Sequence, residues 1–333
     1  MSRETVLEAL RRSGGAFLSG EELSRQLGLS RTAVWKAVDA LRRAGYDIEA
    51  RTGLGYRLAA VPDLLTEPEI RSLLGHVDRV GKTLVCLDEV DSTNTYAKSL
   101  AAAGAADGTV VVADGQTAGR GRMDRVFLSP KGKGIYLTAL LRPDLPPERL
   151  MSVTAMAGVA VCQAVEEVCG VQPGLKWPND PILNGKKLSG ILTELSLEAE
   201  SGRLQYLVVG IGVNVSHAPE DFSPQVRPIA TSLVQALGRP VSRCALAAAE
   251  IRALDRLYQA LETGNTAAYL DHYRRCCVNL GKQVQLISPQ GRTQALALDV
   301  DEQFGLVVRM EDGTERVVRS GEVSVRGMDG YVD

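Results

Sequence analysis

Apolar positions along the first sixty residues change from a helical period to a strand period. In 4–12 (ETVLEALRR) they recur three and four apart, which puts one face of a helix toward a core. Ser19, followed three residues later by Glu22, is a capping-box pattern opening a second short helix through Leu27, and Gly28 ends it. Ser30 then caps a third helix, over 31–44, in which Val34, Ala37, Val38 and Leu41 share a face and which stops at Gly45. Two short helices across a tight glycine turn predict a helix-turn-helix. From Tyr46 the period becomes two: Tyr46, Ile48 and Ala50 alternate with polar residues, 52–55 carry turn chemistry, and Tyr56 and Leu58 resume the alternation. This is a β-hairpin wing, and Val61-Pro62 reads as the boundary that closes a winged helix-turn-helix over 1–62.

Between 63 and 276 the periods mix. TLVCL (83–87), TVVVAD (109–114) and IYLTALL (135–141) read as strands, and a long helix is expected over about 148–169. Asn184-Gly185 is a two-residue hairpin turn between PIL and the strand KLSGILTELSLE, and Glu200-Ser201-Gly202 links that strand to LQYLVVGIGVNV. Consecutive hairpins imply a mixed or antiparallel sheet, so the class is α+β rather than doubly wound. Helical patterns over 240–262 and 265–275 follow. Five short strand candidates between 282 and 326 then predict a small β-barrel over 277–333.

Composition narrows the class. With 333 residues there is room for two or three domains, and 45% hydrophobic with 23% charged residues describes a globular rather than a disordered chain. The longest apolar stretch, 150–165, is broken by Ser152, Thr154 and Gln163, and the N-terminus lacks the apolar core of a secretory signal. A cytoplasmic protein with no membrane partner is expected. The six cysteines form no CxxC pair, which suits reduced core thiols better than a disulfide or zinc framework, so no protein-held metal is expected. Net charge is only −2, yet residues 1–60 hold ten Arg and Lys against seven Asp and Glu, which marks the N-terminal part as the one able to meet DNA.

Three stretches carry candidate chemistry. In 115–130 (GQTAGRGRMDRVFLSP) three arginines, Arg120, Arg122 and Arg125, share a loop with glycines; glycine lets backbone approach an anion, and guanidinium groups offer forked donors to phosphate or carboxylate. A solvated basic loop would read the same way. Lys176-Trp-Pro-Asn-Asp180 sets a cation, an aromatic, an amide and a carboxylate beside a proline, with Lys187 opening the next apolar strand. A strand end with a core tryptophan and a surface lysine would also explain it. Asp91-Ser92-Thr93-Asn94 leads into a helix; Asp91 or Ser92 fits an N-cap, and the polar run also suits a ureido or amide group in an apolar pocket.

In this order, STN, QTAGRGR, KWPND, KLSGIL and GIGVN resemble the biotin protein ligase family, specifically its bifunctional group that is also the biotin operon repressor, and the resemblance spans nearly the whole chain. It implies a central ligase domain over 63–276, an SH3-like C-terminal barrel, and an enzyme that uses ATP to make biotinyl-5′-adenylate and transfers biotin to a lysine of a biotin carboxyl carrier protein. Ser92, Thr93, Asn94 and Gln116 would line the biotin pocket, and Arg120, Gly121 and Arg122 would close over biotin and the adenylate phosphate. Lys187 would reach the activated carboxyl and α-phosphate. Asn179 and Asp180 would act at the reacting end, Asn214 would lie beside the adenine, and Gly119 and Arg125 belong to the nucleotide loop. Asp180 would orient or deprotonate the carrier lysine. Magnesium would arrive on ATP, held by phosphates and water. The family usually reads GRGRxGRxW; Asp124 and Phe127 depart from it, and a carboxylate in a phosphate loop should weaken nucleotide affinity.

For the DNA-binding half, Ser30, Arg31, Thr32, Trp35 and Lys36 would face bases or phosphates, and Arg51 and Arg57 on the wing would touch backbone. Dimerisation on two half-sites of an operator is expected, promoted by bound adenylate. A short winged helix can also be a docking module. A lipoate or octanoate ligase, or a ligand-sensing repressor with a weak ligase half, remains as an alternative reading.

Overall fold

The computed structural model describes the chain except residues 1, 61, 123–124, 199, 289–290, 320–323, 328–330 and 333, together with the side chains of 2, 147–148 and 324–327. It divides into two compact units, 1–64 and 65–333.

In the first unit, helices α1 (Ser2–Arg12), α2 (Gly20–Leu27) and α3 (Arg31–Arg43) precede a hairpin of β1 (Asp47–Arg51) and β2 (Gly55–Ala60). Ser19 and Ser30 accept from the backbone N–H groups of Glu22 and Ala33 at 3.0 and 3.2 Å, and Gly28 takes the left-handed turn at φ 65°; of the expected capping box only this Ser19 half forms among the described residues, since the Glu22 carboxylate accepts from Gln26 instead. Leu10, Leu23, Val34, Val38, Leu41 and Ile48 form this unit's own core.

The second unit is built on a mixed five-stranded sheet in the order β3 (Leu84–Leu87), β4 (Thr109–Ala113), β5 (Gly134–Leu141), β10 (Leu204–Asn214), β9 (Ser189–Leu197). Only β3 and β4 pair in parallel, joined by a crossover through α5 (Thr93–Ala102). Both faces are covered, so β4 and β5 are buried throughout and mostly apolar. Val110, Val112, Ile135, Leu137, Leu207 and Val209 face the main core, to which α4 (Glu67–Leu74), α6 (Val153–Cys169), α7 (Leu233–Leu237) and α8 (Arg243–Thr263) contribute. On the opposite face Val111, Leu140 and Val208 pack with Ala97 and Ala101 of α5.

Two segmentations differ from the pattern reading. The helix expected from 148 begins at Val153, after a 3-10 turn over Pro147–Leu150. The single strand expected after Asn184-Gly185 is two strands, β8 (Lys186–Lys187) and β9, in different sheets: β8 completes a three-stranded sheet with β6 (Gly174–Lys176) and β7 (Asp180–Leu183). The alternation runs unbroken through Leu188, so periodicity could not mark where the chain changes sheets. Asn184 and Gly185 both have positive φ, 52° and 73°, as the two-residue hairpin requires.

After α9 (Ala267–Cys276), strands β11 (Gln283–Ser288), β12 (Gly291–Val300), β13 (Leu306–Met310), β14 (Glu315–Val318) and β15 (Ser324–Gly327) pair entirely antiparallel, in the order β14-β13-β12-β11-β15. Among the described residues no helix is long and apolar enough to cross a membrane.

Candidate active site

Strand parity opens the pocket. On the face of β10 where Val208 meets α5, the next two positions of the same parity are Gly210 and Gly212, and Gly190 of β9 lies opposite Gly212. A Cβ on Gly210 would stand 2.0 Å from Asn94 Oδ1, and one on Gly212 would stand 2.4 Å from the Phe127 ring. The glycines of GIGVN therefore let Asn94 and the Phe127 ring pack against β10, and a pocket opens between these groups. Among the segments that line it are five that carry the motifs: 92–94, Gln116 with 120–122 and 125–128, 176–180, Lys187 with 190–192, and 210–212 with Asn214.

The polar run at the start of α5 is a buried network. Gln116 Oε1 accepts from the Thr93 backbone N–H at 2.8 Å, and Gln116 Nε2 donates to Ser129 Oγ at 2.8 Å. Asn94 Nδ2 donates to Leu192 O and Glu194 Oε2 at 3.2 and 2.9 Å, while its Oδ1 lies 2.7 Å from Thr138 Oγ1. Thr93, Asn94 and Gln116 thus hold one another in place. Ser92 occupies the N-cap position without making the capping bond, which leaves its hydroxyl to the pocket it lines. Burial opposes ionisation of Glu194, but hydrogen bonds from Lys98 and Asn94, with the charges of Lys98 and Arg120, hold its carboxyl below the ordinary value. Arg120 stands 3.6 Å from Glu194.

The KWPND segment forms the opposite wall. Trp177 is fully buried; its backbone N–H donates to Asn279 Oδ1 at 2.7 Å and its indole N–H to Phe304 O at 3.0 Å. The Trp177-Pro178 bond is cis, and Pro178 O accepts from the Tyr273 hydroxyl at 2.9 Å. The C-terminal strand region and α9 therefore fix the loop that presents Asn179 and Asp180. Asn179 Nδ2 donates to Ile191 O at 3.1 Å. Lys187 Nζ pairs with Asp180 Oδ1, and the Tyr331 hydroxyl donates to Asp180 Oδ2. Burial alone would raise the Asp180 carboxyl; Lys187 and Lys176, with those two hydrogen bonds, hold it below its ordinary value. Strand β8 is anchored through its backbone, with Lys187 N–H donating to Ile229 O at 2.7 Å and Thr231 N–H to Lys187 O at 2.9 Å.

The arginine loop is different in kind. It folds back through Gly121 N–H to Arg125 O at 2.7 Å and Phe127 N–H to Gly119 O at 2.9 Å. Arg120, Arg122 and Arg125 are exposed, and among the described residues the guanidinium groups of Arg122 and Arg125 have no hydrogen bond or ion pair. Val126, 75% exposed, projects beside them. Asp124 lies outside the described residues. Phe127 sits over Gly190 and Gly212, edge to face with Tyr136 at 6.5 Å.

Pattern reading missed part of the lining. Phe222, Val226, Ile229 and Ala230 make an apolar wall from an irregular segment after β10, where no periodicity flags them. Phe222 stacks on His217 at 5.4 Å, and burial pushes that imidazole down to about 4, so it is neutral near pH 7. Asn214 closes this wall by donating to Thr231 O at 3.0 Å. Lys176 and Tyr331 also line the pocket.

In the first unit, Arg31, Thr32, Trp35 and Lys36 share the exposed face of α3, with Trp35 56% exposed. The Ser30 hydroxyl is engaged in its cap, and Arg31 pairs with Glu21 at 2.6 Å. On the wing Arg57 pairs with Glu49 at 2.7 Å, and Arg51 and Arg57 both lie over the Phe17 ring.

Three family models match the chain: the helix-turn-helix domain over 2–57, the biotin/lipoate A/B protein ligase family over 86–214, and the biotin protein ligase C-terminal domain over 280–326. The bifunctional ligase/repressor BirA of Bacillus subtilis is 38% identical over 95% of this chain and 96% of its own length. The Escherichia coli BirA is 30% identical over 95% of each. Among solved structures, the biotin protein ligase of Aquifex aeolicus in complex with biotin and ATP superposes with a TM-score of 0.63 at 30% identity, covering 74% of this chain and 99% of that one.

Proposed function

Because the chain belongs to the biotin protein ligase family, in its bifunctional ligase/repressor group, we propose that this pocket joins biotin to ATP and passes the biotinyl group to a lysine of a carrier protein. The observation that carries the assignment of residues is the convergence of five separated segments, each bearing a family motif, on one pocket with a cationic end and an apolar wall. The division into 1–62, 63–276 and 277–333 is the corresponding proposal for the domains.

In the first half-reaction a biotin carboxylate oxygen attacks the α-phosphorus of ATP, a P–O bond forms, and pyrophosphate leaves. Two anions must meet, so the barrier falls where cations stand ready at the site of developing charge. Lys187 is that group on the rigid wall, and Arg120 and Arg122 bring charge from the loop, with Arg125 and the Gly119 and Gly121 backbone beside them. Magnesium arriving with ATP would supply further charge neutralisation. Ser92 meets the ureido end, inside the frame kept by Thr93, Asn94 and Gln116. The wall from Phe222 to Ala230, closed by Asn214, takes the adenine, and Asn179 steadies the reacting end through β9.

In the second half-reaction the carrier amine attacks the acyl carbon, AMP leaves, and a proton is lost from nitrogen. A carboxylate held below its ordinary pKa is a weak base, so Asp180 orients the ammonium or amine rather than removing its proton. The mixed anhydride must be kept from water, a task suited to the exposed loop carrying Val126.

Operator DNA is met by the exposed face of α3, through Arg31, Thr32, Trp35 and Lys36, with Ser30 at its start and Arg51 and Arg57 on the wing. β9 is the edge of the central sheet, with Leu195 and Leu197 exposed, and offers its outer edge to a second copy or the carrier. Adenylate-promoted dimers would then place two first units on two half-sites. Six free thiols fit action in the reducing cytoplasm.

Incubation with ATP, labelled biotin and a carrier domain tests the ligase: label on the carrier is expected, while label from lipoate in its place, or none, overturns the reading. Operator titration with and without biotinyl-adenylate tests the sensor, and equal affinity in both overturns it.

A further inference from the structure

The chain comes back to the pocket at its far end. Tyr331 lines it, and the adjacent Val332 is buried, so this part of the tail is seated in the fold. The Tyr331 hydroxyl donates to one Asp180 oxygen while Lys187 Nζ holds the other, and the Lys176 ammonium lies 4.2 Å from the Tyr331 ring centroid.

A carboxylate held by a single ammonium can rotate about its terminal torsion and carry its partner with it. A donor on the second oxygen fixes the plane of the group, and so fixes where Lys187 stands. A neutral phenol does this without adding positive charge beside two lysines, and its ring face accommodates Lys176. We propose that Tyr331 is a positioning residue for adenylate formation: it acts through Asp180 to hold Lys187 toward the reacting carboxyl and phosphate. The C-terminal tail thereby becomes part of the reaction site, a role that rests on the ligase reading above.

The test uses the full chain and single-turnover formation of biotinyl-adenylate. Tyr331→Phe keeps the ring over Lys176 and removes only the hydroxyl. It is expected to slow adenylate formation about tenfold, the scale of one hydrogen bond to a charged group, with KM for biotin and the melting temperature little changed. In an Asp180→Ala background the same substitution is expected to add nothing, because the group through which it acts is gone. An unaltered rate in Tyr331→Phe overturns the role, and so does a loss that multiplies fully with that of Asp180→Ala. Wild-type protein that forms no adenylate from ATP and biotin overturns the ligase reading and this role with it.

Discussion

The two cationic walls of the pocket are built in opposite ways. On one, Lys187 and Lys176 lie on or beside short strands, their charges met by Asp180 and the Tyr331 ring, and the segment between them is bolted to the C-terminal region through Trp177. On the other, Arg122 and Arg125 stand on an exposed loop with no partner among the described residues. The paired wall is organised before any ligand arrives and supplies geometry. These two arginines hold charge in reserve and gain partners only when an anion binds, which couples the ordering of their side chains to substrate.

The largest effect should come from the organised wall. Lys187→Ala removes a cation aimed at developing charge and should lower the rate of adenylate formation by about 10²–10³-fold, with a smaller change in KM for biotin, measured by pyrophosphate release. Arg122→Ala should cost about one to two orders of magnitude, corresponding to one charged hydrogen bond, and should also hasten adenylate loss, read as faster release of labelled adenylate. If both variants fail in the chemical step alone, with no change in release, the contrast between a fixed wall and a closing loop is wrong.

Asp180→Asn should slow transfer from preformed adenylate by about tenfold, on the scale of one charged contact. Because the Asp180 carboxyl is held below its ordinary value, it stays ionised above the usual carboxylate range and its pair with Lys187 is lost only as pH falls beneath that range. The deficit in Asp180→Asn should therefore be the same at every pH from about 6 to 8. A deficit that grows as pH rises across that interval would mean that Asp180 gains its charge there, and that its partners do not hold it ionised. The smallest effect belongs to Asp124→Gly, which should tighten ATP binding a few-fold, by about the worth of one weak charge interaction, measured by calorimetric titration.

Much of this molecule was legible in its residue pattern. The caps at Ser19 and Ser30, the stop at Gly28 and the turn at Asn184-Gly185 are local: each depends on one side chain or one φ angle, and the structure uses each as written. The motif residues of the pocket were legible as well, but not the network that holds them. Asn94 and Gln116 read as lining groups, and the structure adds their hydrogen bonds to Thr93, Thr138, Ser129 and Glu194. The break at Leu188 was hidden because two strands in different sheets share one alternation.

What the sequence determined alone was the order of helices and strands, the positions of turns, and which residues carry charge beside glycine, since these follow from periods of two and 3.6 and from backbone sterics. Tertiary structure decided which of those charges are partnered. Asp180 meets Tyr331 across 151 positions of chain, and Trp177 meets Asn279 and Phe304 across 102 and 127. Contacts at such separations depend on how sheets stack and where a tail comes to rest, and no local period encodes them.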